Sequence, residues 1–299
     1  MPQLKHAILG VGGVGGVLGT FLAHLGESVT AIVRPESLAA YPEQFHLQST
    51  FGNFDVQVSR VAEVPACEVL WITVKATQLN AALRAITNPE VIGAIIPLLN
   101  GIDHLSILRA RYGKDRVIAA TIAGEMERVA PGNFVHATPF LRLNVSSAAR
   151  PLLGPTLDGL SKIGVECHFV DDEATLMWSK LVFLAPIALA TTAFDQPVGG
   201  VLNDSERKNL WESCVREACS VAAAEGAKVD ANAVFTGMSK MPAGMRSSMQ
   251  KDVEQGNPPE LDAIAGPILR AGSHHGIKTP STEKLTASVE RRSSLRPVV

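Results

Sequence analysis

Residues 5–26 constrain this chain more than any other stretch. A short apolar run, His6 to Leu9, meets Gly10, Gly12 and Gly15 at the spacing Gly-x-Gly-x-x-Gly, after which Val14, Leu18, Leu22 and Leu25 recur at helical intervals and Gly26 stops the helix. Strand, glycine turn and helix in that order form the fingerprint of a dinucleotide site. Gly10 permits the tight turn, Gly12 lets backbone approach a pyrophosphate, and Gly15 lets the helix lie close on the strand. Gly13 and Val14 open the helix, where unpaired amides face the phosphates. A chain with 25 glycines produces such spacings in ordinary turns as well. Context decides, because a second strand follows at 28–33. The uncharged stretch after Lys5 also has the outline of an export signal, but its glycines and the following strand speak against that reading.

At the end of the second strand NAD enzymes usually carry an acid for the ribose 2′-hydroxyl. This chain has Arg34 there, nineteen positions after Gly15. A cation suits a 2′-phosphate, so the expected cofactor is NADP(H). The alternative is a solvated arginine in a turn beside Pro35.

At 299 residues the chain has room for two domains, and 27 basic against 29 acidic residues leave no global basic surface to invite nucleic acid. Cys67, Cys167, Cys214 and Cys219 are scattered, without zinc-site spacing, and read as reduced thiols of a cytoplasmic protein. No metal site is expected, and His274 and His275 read as structural. The uncharged stretch 181–194 contains Pro186 and is shorter than the roughly 20 residues of a membrane span, so a buried helix is expected there.

Along the first half, strands are expected at 45–48, 54–58, 68–75, 94–99, 117–123, 134–137, 141–145 and 165–170. Helices are expected at 77–86, after a cap at Asp103, and at 155–163. The alternation implies an α/β fold with an N-terminal Rossmann-type, doubly wound sheet. Ligands bind such sheets at the carboxyl ends of the strands, where Lys75, Asn100 and Gly101 fall. Beyond residue 171 helical patterns take over at 172–190, 204–225, 231–240, 247–254, 260–273 and 281–291. The expected domains are 1–171, binding the nucleotide, and 172–299, mostly α-helical and carrying substrate. Residues 291–294 are expected to fray.

The glycine motif with Arg34, Val74-Lys75-Ala76-Thr77-Gln78, Leu99-Asn100-Gly101, Pro131-Gly132, Trp178-Ser179-Lys180-Leu181, Ser247-Ser248-Met249-Gln250-Lys251-Asp252, Glu260-Leu261-Asp262 and Gly276-Ile277-Lys278-Thr279-Pro280 follow one another in an order and spacing that resemble the ketopantoate reductases. The pairing of Trp-x-Lys-Leu with Ser-Ser-Met-x-x-Asp and a later Glu is the specific part. The resemblance implies reduction of a 2-oxo acid by NADPH, ketopantoate to pantoate, on the way to pantothenate. It implies that Lys180 is the catalytic general acid, Glu260 its acidic partner, Ser248 a substrate-binding serine, and Asn100 and Lys75 cofactor-side residues bordering the substrate. Chemistry favours the lysine role independently, since hydride reaching a carbonyl carbon leaves charge on oxygen that a positioned proton donor relieves. Alone, a lysine on an amphipathic helix is most often solvated, Glu260 after two prolines can simply favour a helix start, and Ser248 can do the same.

Where the best-known members present asparagines to substrate, Leu184, Ala188 and Val198 stand in this chain. Apolar side chains cannot replace amide hydrogen bonds, so a bulkier or more apolar 2-oxo acid is a second expectation. A non-catalytic NADP-binding regulator is a third. The helical half is also a possible homodimer face.

Overall fold

The computed structural model describes residues 3–294. The chain divides into two units: residues up to 99 together with 104–176, and residues 100–103 together with 177 onward.

In the first unit the order is β1 (Lys5–Leu9), α1 (Gly13–His24), β2 (Ser28–Ile32), β3 (Gln44–Ser49), β4 (Gly52–Gln57), β5 (Ser59–Val61), β6 (Cys67–Ile72), α2 (Leu79–Ala82), β7 (Ile92–Pro97), α3 (His104–Tyr112), β8 (Ala120–Ala123), β9 (Met126–Ala130), β10 (Asn133–His136), β11 (Arg142–Ser146), α4 (Arg150–Lys162) and β12 (Glu166–Val170). Five strands in the order β5-β2-β1-β6-β7 make an all-parallel sheet. Its central strands are almost wholly buried, as expected of a sheet covered on both faces.

Later strands do not extend that sheet. They build two others, β4-β3-β10-β9 and β12-β11-β8, each mixing parallel and antiparallel pairs. Past β7 the parallel ladder is limited to a single bridge, Ile95 to Val117. Helix α1 lies between the parallel sheet and the four-stranded one: Gly19 backs onto Ile8 and Val29, whereas Gly16 backs onto the Phe134 ring. A helix covered on both sides needs an apolar surface all round, and Val17, Leu18, Phe21 and Leu22 are buried on it.

Several local expectations change. The strand expected to reach Lys75 stops at Ile72; Thr73 makes one last backbone bond to Leu9 at 2.9 Å, and its hydroxyl turns to the Gly10 carbonyl. The helix expected at 77–86 is a single α turn between two 3₁₀ turns, Ala76–Gln78 and Leu83–Ala85. Strands β5 and β9 were not anticipated.

The second unit contains most of α5 (Glu173–Phe194), whose first four residues belong to the first unit, then α6 (Val198–Leu202), α7 (Ser205–Ala224), α8 (Ala231–Ser239), α9 (Ser248–Glu254), α10 (Leu261–His274) and α11 (Pro280–Ser294). Caps explain the boundaries. Asp204 accepts from the Glu206 and Arg207 amides at 3.0 Å, and Ser247 accepts from the Gln250 amide at 3.1 Å. Glu217 on α7 accepts from the Ser281 and Thr282 amides at 2.8 Å, closing the start of α11. Residues 291–294 continue α11 instead of fraying, and Arg292 is anchored by an ion pair with Asp195. Among the described residues α5 alone is long and apolar enough to span a bilayer, and 67% of its most apolar window is buried within the fold, as a core helix requires.

A Cβ on Gly16 would overlap the buried Phe134 ring. Gly16→Ala is therefore expected to destabilise the chain by about 1–3 kcal/mol, read as a lower Tm in thermal unfolding.

Candidate active site

The glycine turn is held rigidly from behind. Gly10 sits at φ +101°, where a Cβ would run into Val74, and Thr73 Oγ1 donates to the Gly10 carbonyl at 2.6 Å. A Cβ on Gly15 would strike that same carbonyl and the Thr73 hydroxyl, and one on Gly13 would strike the Met126 carbonyl of β9. Gly12 differs, because a Cβ there would meet nothing within 4 Å. The start of α1 carries no side-chain cap and no acid in its first turn, and Gly12, whose own amide donates to the Gly10 carbonyl at 2.9 Å, leaves room there for a ligand to approach the amides of Gly13 and Val14. Amides of this kind, at the positive end of a helix dipole, fit a pyrophosphate. Arg34 lies just beyond β2 with an exposed side chain, paired with the equally exposed Glu36 at 3.5 Å. Such a surface pair is weak and leaves the guanidinium available. Lys75 is exposed at the end of the β6 loop.

A second group of side chains meets within the helical unit. Lys180 Nζ donates to Asn100 Oδ1 at 3.1 Å, and Asn100 Nδ2 donates to Glu260 Oε2 at 3.0 Å. Asn100 spans the other two, its oxygen facing the cation and its nitrogen the anion. Glu260 stands at the start of α10, is 7% exposed, and makes no side-chain cap; its carboxylate turns to Asn100 instead. The capping explanation of Glu260 therefore gives way to the partnership with Asn100. Removal from water brings the half-buried Lys180 down to about 8, against the opposing pull of the Glu260 carboxylate.

Asn100 belongs with this group and not with the nucleotide-binding half where the sequence placed it, and the local contacts explain why. Gly101, at φ +80°, packs so closely on the Ala263 carbonyl that a Cβ would overlap it, and Asp103 is ion-paired with Arg270, which also holds Asp262 at 2.6 Å. Three successive fastenings fix residues 100–103 to the first turns of α10.

Lys180, Leu184, Ala188 and Thr191 recur at intervals that put them on one face of α5. Thr191 Oγ1 lies 2.8 Å from Ser247 Oγ, which seats the start of α9 at the far end of that face. Ser247 is the helix cap, whereas Ser248 is exposed at the first helical position. Ala188 and Val198 are buried and Leu184 is half-buried. One residue escaped the sequence reading altogether. Arg128, on the unanticipated β9, reaches the glycine turn with Nη1 3.5 Å from the Val11 carbonyl.

The family described as Ketopantoate reductase PanE/ApbA matches residues 6–149, and Ketopantoate reductase PanE/ApbA C terminal matches residues 173–293. The chain belongs to the ketopantoate reductase family. It is thereby an oxidoreductase by family. A 2-dehydropantoate 2-reductase of Caulobacter vibrioides is 29% identical over 94% of this chain and 96% of its own length. An uncharacterized oxidoreductase of Bacillus subtilis, YkpB, is 26% identical over 96% of this chain and 98% of its own. Among solved structures, a ternary complex of D-mandelate dehydrogenase with NADH and anilino(oxo)acetate superposes with a TM-score of 0.85 at 21% identity, covering 98% of this chain and 99% of that one. At that identity the likeness is one of fold.

Direct NMR titration of the Lys180 side chain is expected to give a midpoint near pH 8. Glu260→Gln removes the charge that favours the ammonium, so the same signal should then titrate at lower pH. An unchanged midpoint would break the link between the two residues.

Proposed function

We propose that this member of the family reduces the 2-oxo group of a small carboxylic acid with NADPH, ketopantoate being the first candidate. The observation that carries the reading is the Lys180–Asn100–Glu260 chain. Lys180 spends one N–H on Asn100 and retains donors for a carbonyl oxygen. Asn100 fixes where the ammonium points. A group titrating near 8 is charged at neutral pH and still surrenders its proton readily, which is what a general acid must do. The reduced nicotinamide, when bound, supplies the hydride. As that hydride reaches the carbonyl carbon, Lys180 Nζ stabilises the growing charge on oxygen and then transfers its proton there, leaving a hydroxy acid. Glu260 keeps the ammonium form populated.

The residues of the glycine turn fit a dinucleotide, with Gly12 leaving room for the pyrophosphate and Gly13 and Val14 offering it their amides. Arg34 supports a 2′-phosphate and hence NADPH over NADH. Ser248, exposed at the start of α9, is the candidate for holding the acid. The free, desolvated cysteines favour a cytoplasmic setting.

One observation supports a second reading within the same chemistry. Leu184 lies one turn from Lys180 on the same face of α5, followed by buried Ala188, and neither can hydrogen-bond a substrate hydroxyl. That lining suits a more apolar 2-oxo acid. A panel of 2-oxo acids assayed by NADPH consumption separates the two readings: the highest kcat/KM for ketopantoate supports the first, and a preference for an aliphatic or aryl 2-oxo acid supports the second. No turnover with any 2-oxo acid would sink both.

Lys180→Ala should lower kcat by roughly 10²–10⁴-fold while dinucleotide affinity is retained. Because the acid is present below about pH 8 and lost above it, the rate of reduction is expected to fall as pH rises through that value. The rate of the reverse oxidation, which needs the free amine, should rise. Arg34→Ala should weaken NADPH binding and leave NADH binding unchanged, as measured by fluorescence titration.

A further inference from the structure

We propose that Arg128 is a ligand of the cofactor's pyrophosphate, a second cation delivered to the glycine turn by a strand outside the parallel sheet. The inference rests on the dinucleotide reading of that turn and adds a residue to it.

The path of β9 carries the argument. The strand crosses the start of α1 so closely that Gly13 must lack a side chain to admit the Met126 carbonyl. Along the regularly paired part of the strand, Met126 to Arg128, alternation puts Arg128 on the same face as Met126 and Glu127 on the other, and the pairing becomes irregular only beyond it, at Val129. The Arg128 guanidinium consequently hangs at Val11, between Gly10 and Gly12, with Nη1 3.5 Å from the Val11 carbonyl. Gly12 is the turn position left open, so the cation sits beside the place where backbone can approach a phosphate.

A purely structural role explains little of this arrangement. The Val11 carbonyl already accepts from the buried Tyr41 hydroxyl at 3.4 Å. Both bonds lie at the outer limit of useful N–H···O and O–H···O geometry, so the fold gains little by adding a guanidinium. Arg128 also donates to Tyr41, which orients it, and an exposed arginine with five N–H groups has donors left to spend. Near an uncapped helix start that carries no acid in its first turn, those donors face a site built for negative charge. Arginine can grip two phosphate oxygens at once.

Arg34 and Arg128 then divide the work. Arg34, at the end of β2, reads a group that only NADPH carries, whereas Arg128, at the turn, reads one common to NADPH and NADH. The division is what an experiment can see.

Dissociation constants of the full-length protein for NADPH and for NADH, by fluorescence titration, should weaken by about 10- to 100-fold for both dinucleotides in Arg128→Ala, the loss expected of a charge-assisted contact. Arg128→Lys should recover part of it. Thermal unfolding without cofactor should be the same for Arg128→Ala and the parent, because the role is to bind and not to brace. Unchanged affinities in Arg128→Ala, a loss confined to NADPH, or a loss accompanied by a lower cofactor-free Tm would each overturn the proposal. If the parent itself binds neither dinucleotide, the cofactor reading fails first, and the two failures are told apart by that control.

Discussion

Partly withdrawing one ammonium from water is the constraint that organises the helical half. A lysine removed from water is costly, and the cost is tolerable only where hydrogen bonds and an opposite charge accompany it. Asn100 supplies the first and Glu260 the second. Neither is on the helix that carries Lys180. Residues 100–103 follow the last strand of the parallel sheet, and Glu260 begins a helix that is separated from α5 by four intervening helices, α6 to α9. The network therefore needs α10 in register with α5, and Gly101, Asp103 and Arg270 are the means by which that register extends to Asn100.

The same logic, with the sign reversed, governs the nucleotide-binding half. There the constraint is a helix start left uncapped. Polar amides at a helix end are ordinarily satisfied by a Ser, Thr, Asp or Asn, and α7, α8 and α9 in this chain have such caps. Helix α1 instead begins with Gly12, at the end of a turn braced from behind by Thr73 and by the close approach of β9. Forgoing the cap costs local stability, and burial of α1 on both faces offsets it. A helix rich in glycine and short of polar residues is poorly suited to stand alone, but it is well suited to lie between two sheets.

How much of this was legible in the sequence follows from how local each feature is. The glycine turn, the central strands and nearly all helices of the second half are written in periodicity and caps, which neighbouring residues decide. The pairing of short motifs singled out Lys180 and Glu260, and the structure joins the two through Asn100. Asn100 was legible as the residue that ends a buried strand but not as a member of the helical unit, because nothing in Leu99-Asn100-Gly101 says that α10 will be its neighbour. Strand β9 was invisible for a different reason: its residues are mostly exposed, so the apolar alternation that betrays a half-buried strand is missing. The division of the β-strands into three sheets was hidden as well, since pairing partners are chosen across the whole unit.

That difference bears on what the α5 face can tell. Lys180, Leu184, Ala188 and Thr191 share a face by helical geometry alone, so their grouping needed no tertiary information. What the structure adds is the seat of α9 on Thr191 through Ser247, which fixes the far end of the strip. Between the ammonium at one end and the Thr191–Ser247 pair at the other, the intervening side chains are Leu184 and Ala188, and no amide interrupts them. Ala188 and the Thr191–Ser247 pair are closed off within the fold, so the open part of the strip is the ammonium with half-buried Leu184 beside it. An apolar side chain in that place discriminates by shape and contact, worth about 1–3 kcal/mol per methylene, and not by hydrogen bonding.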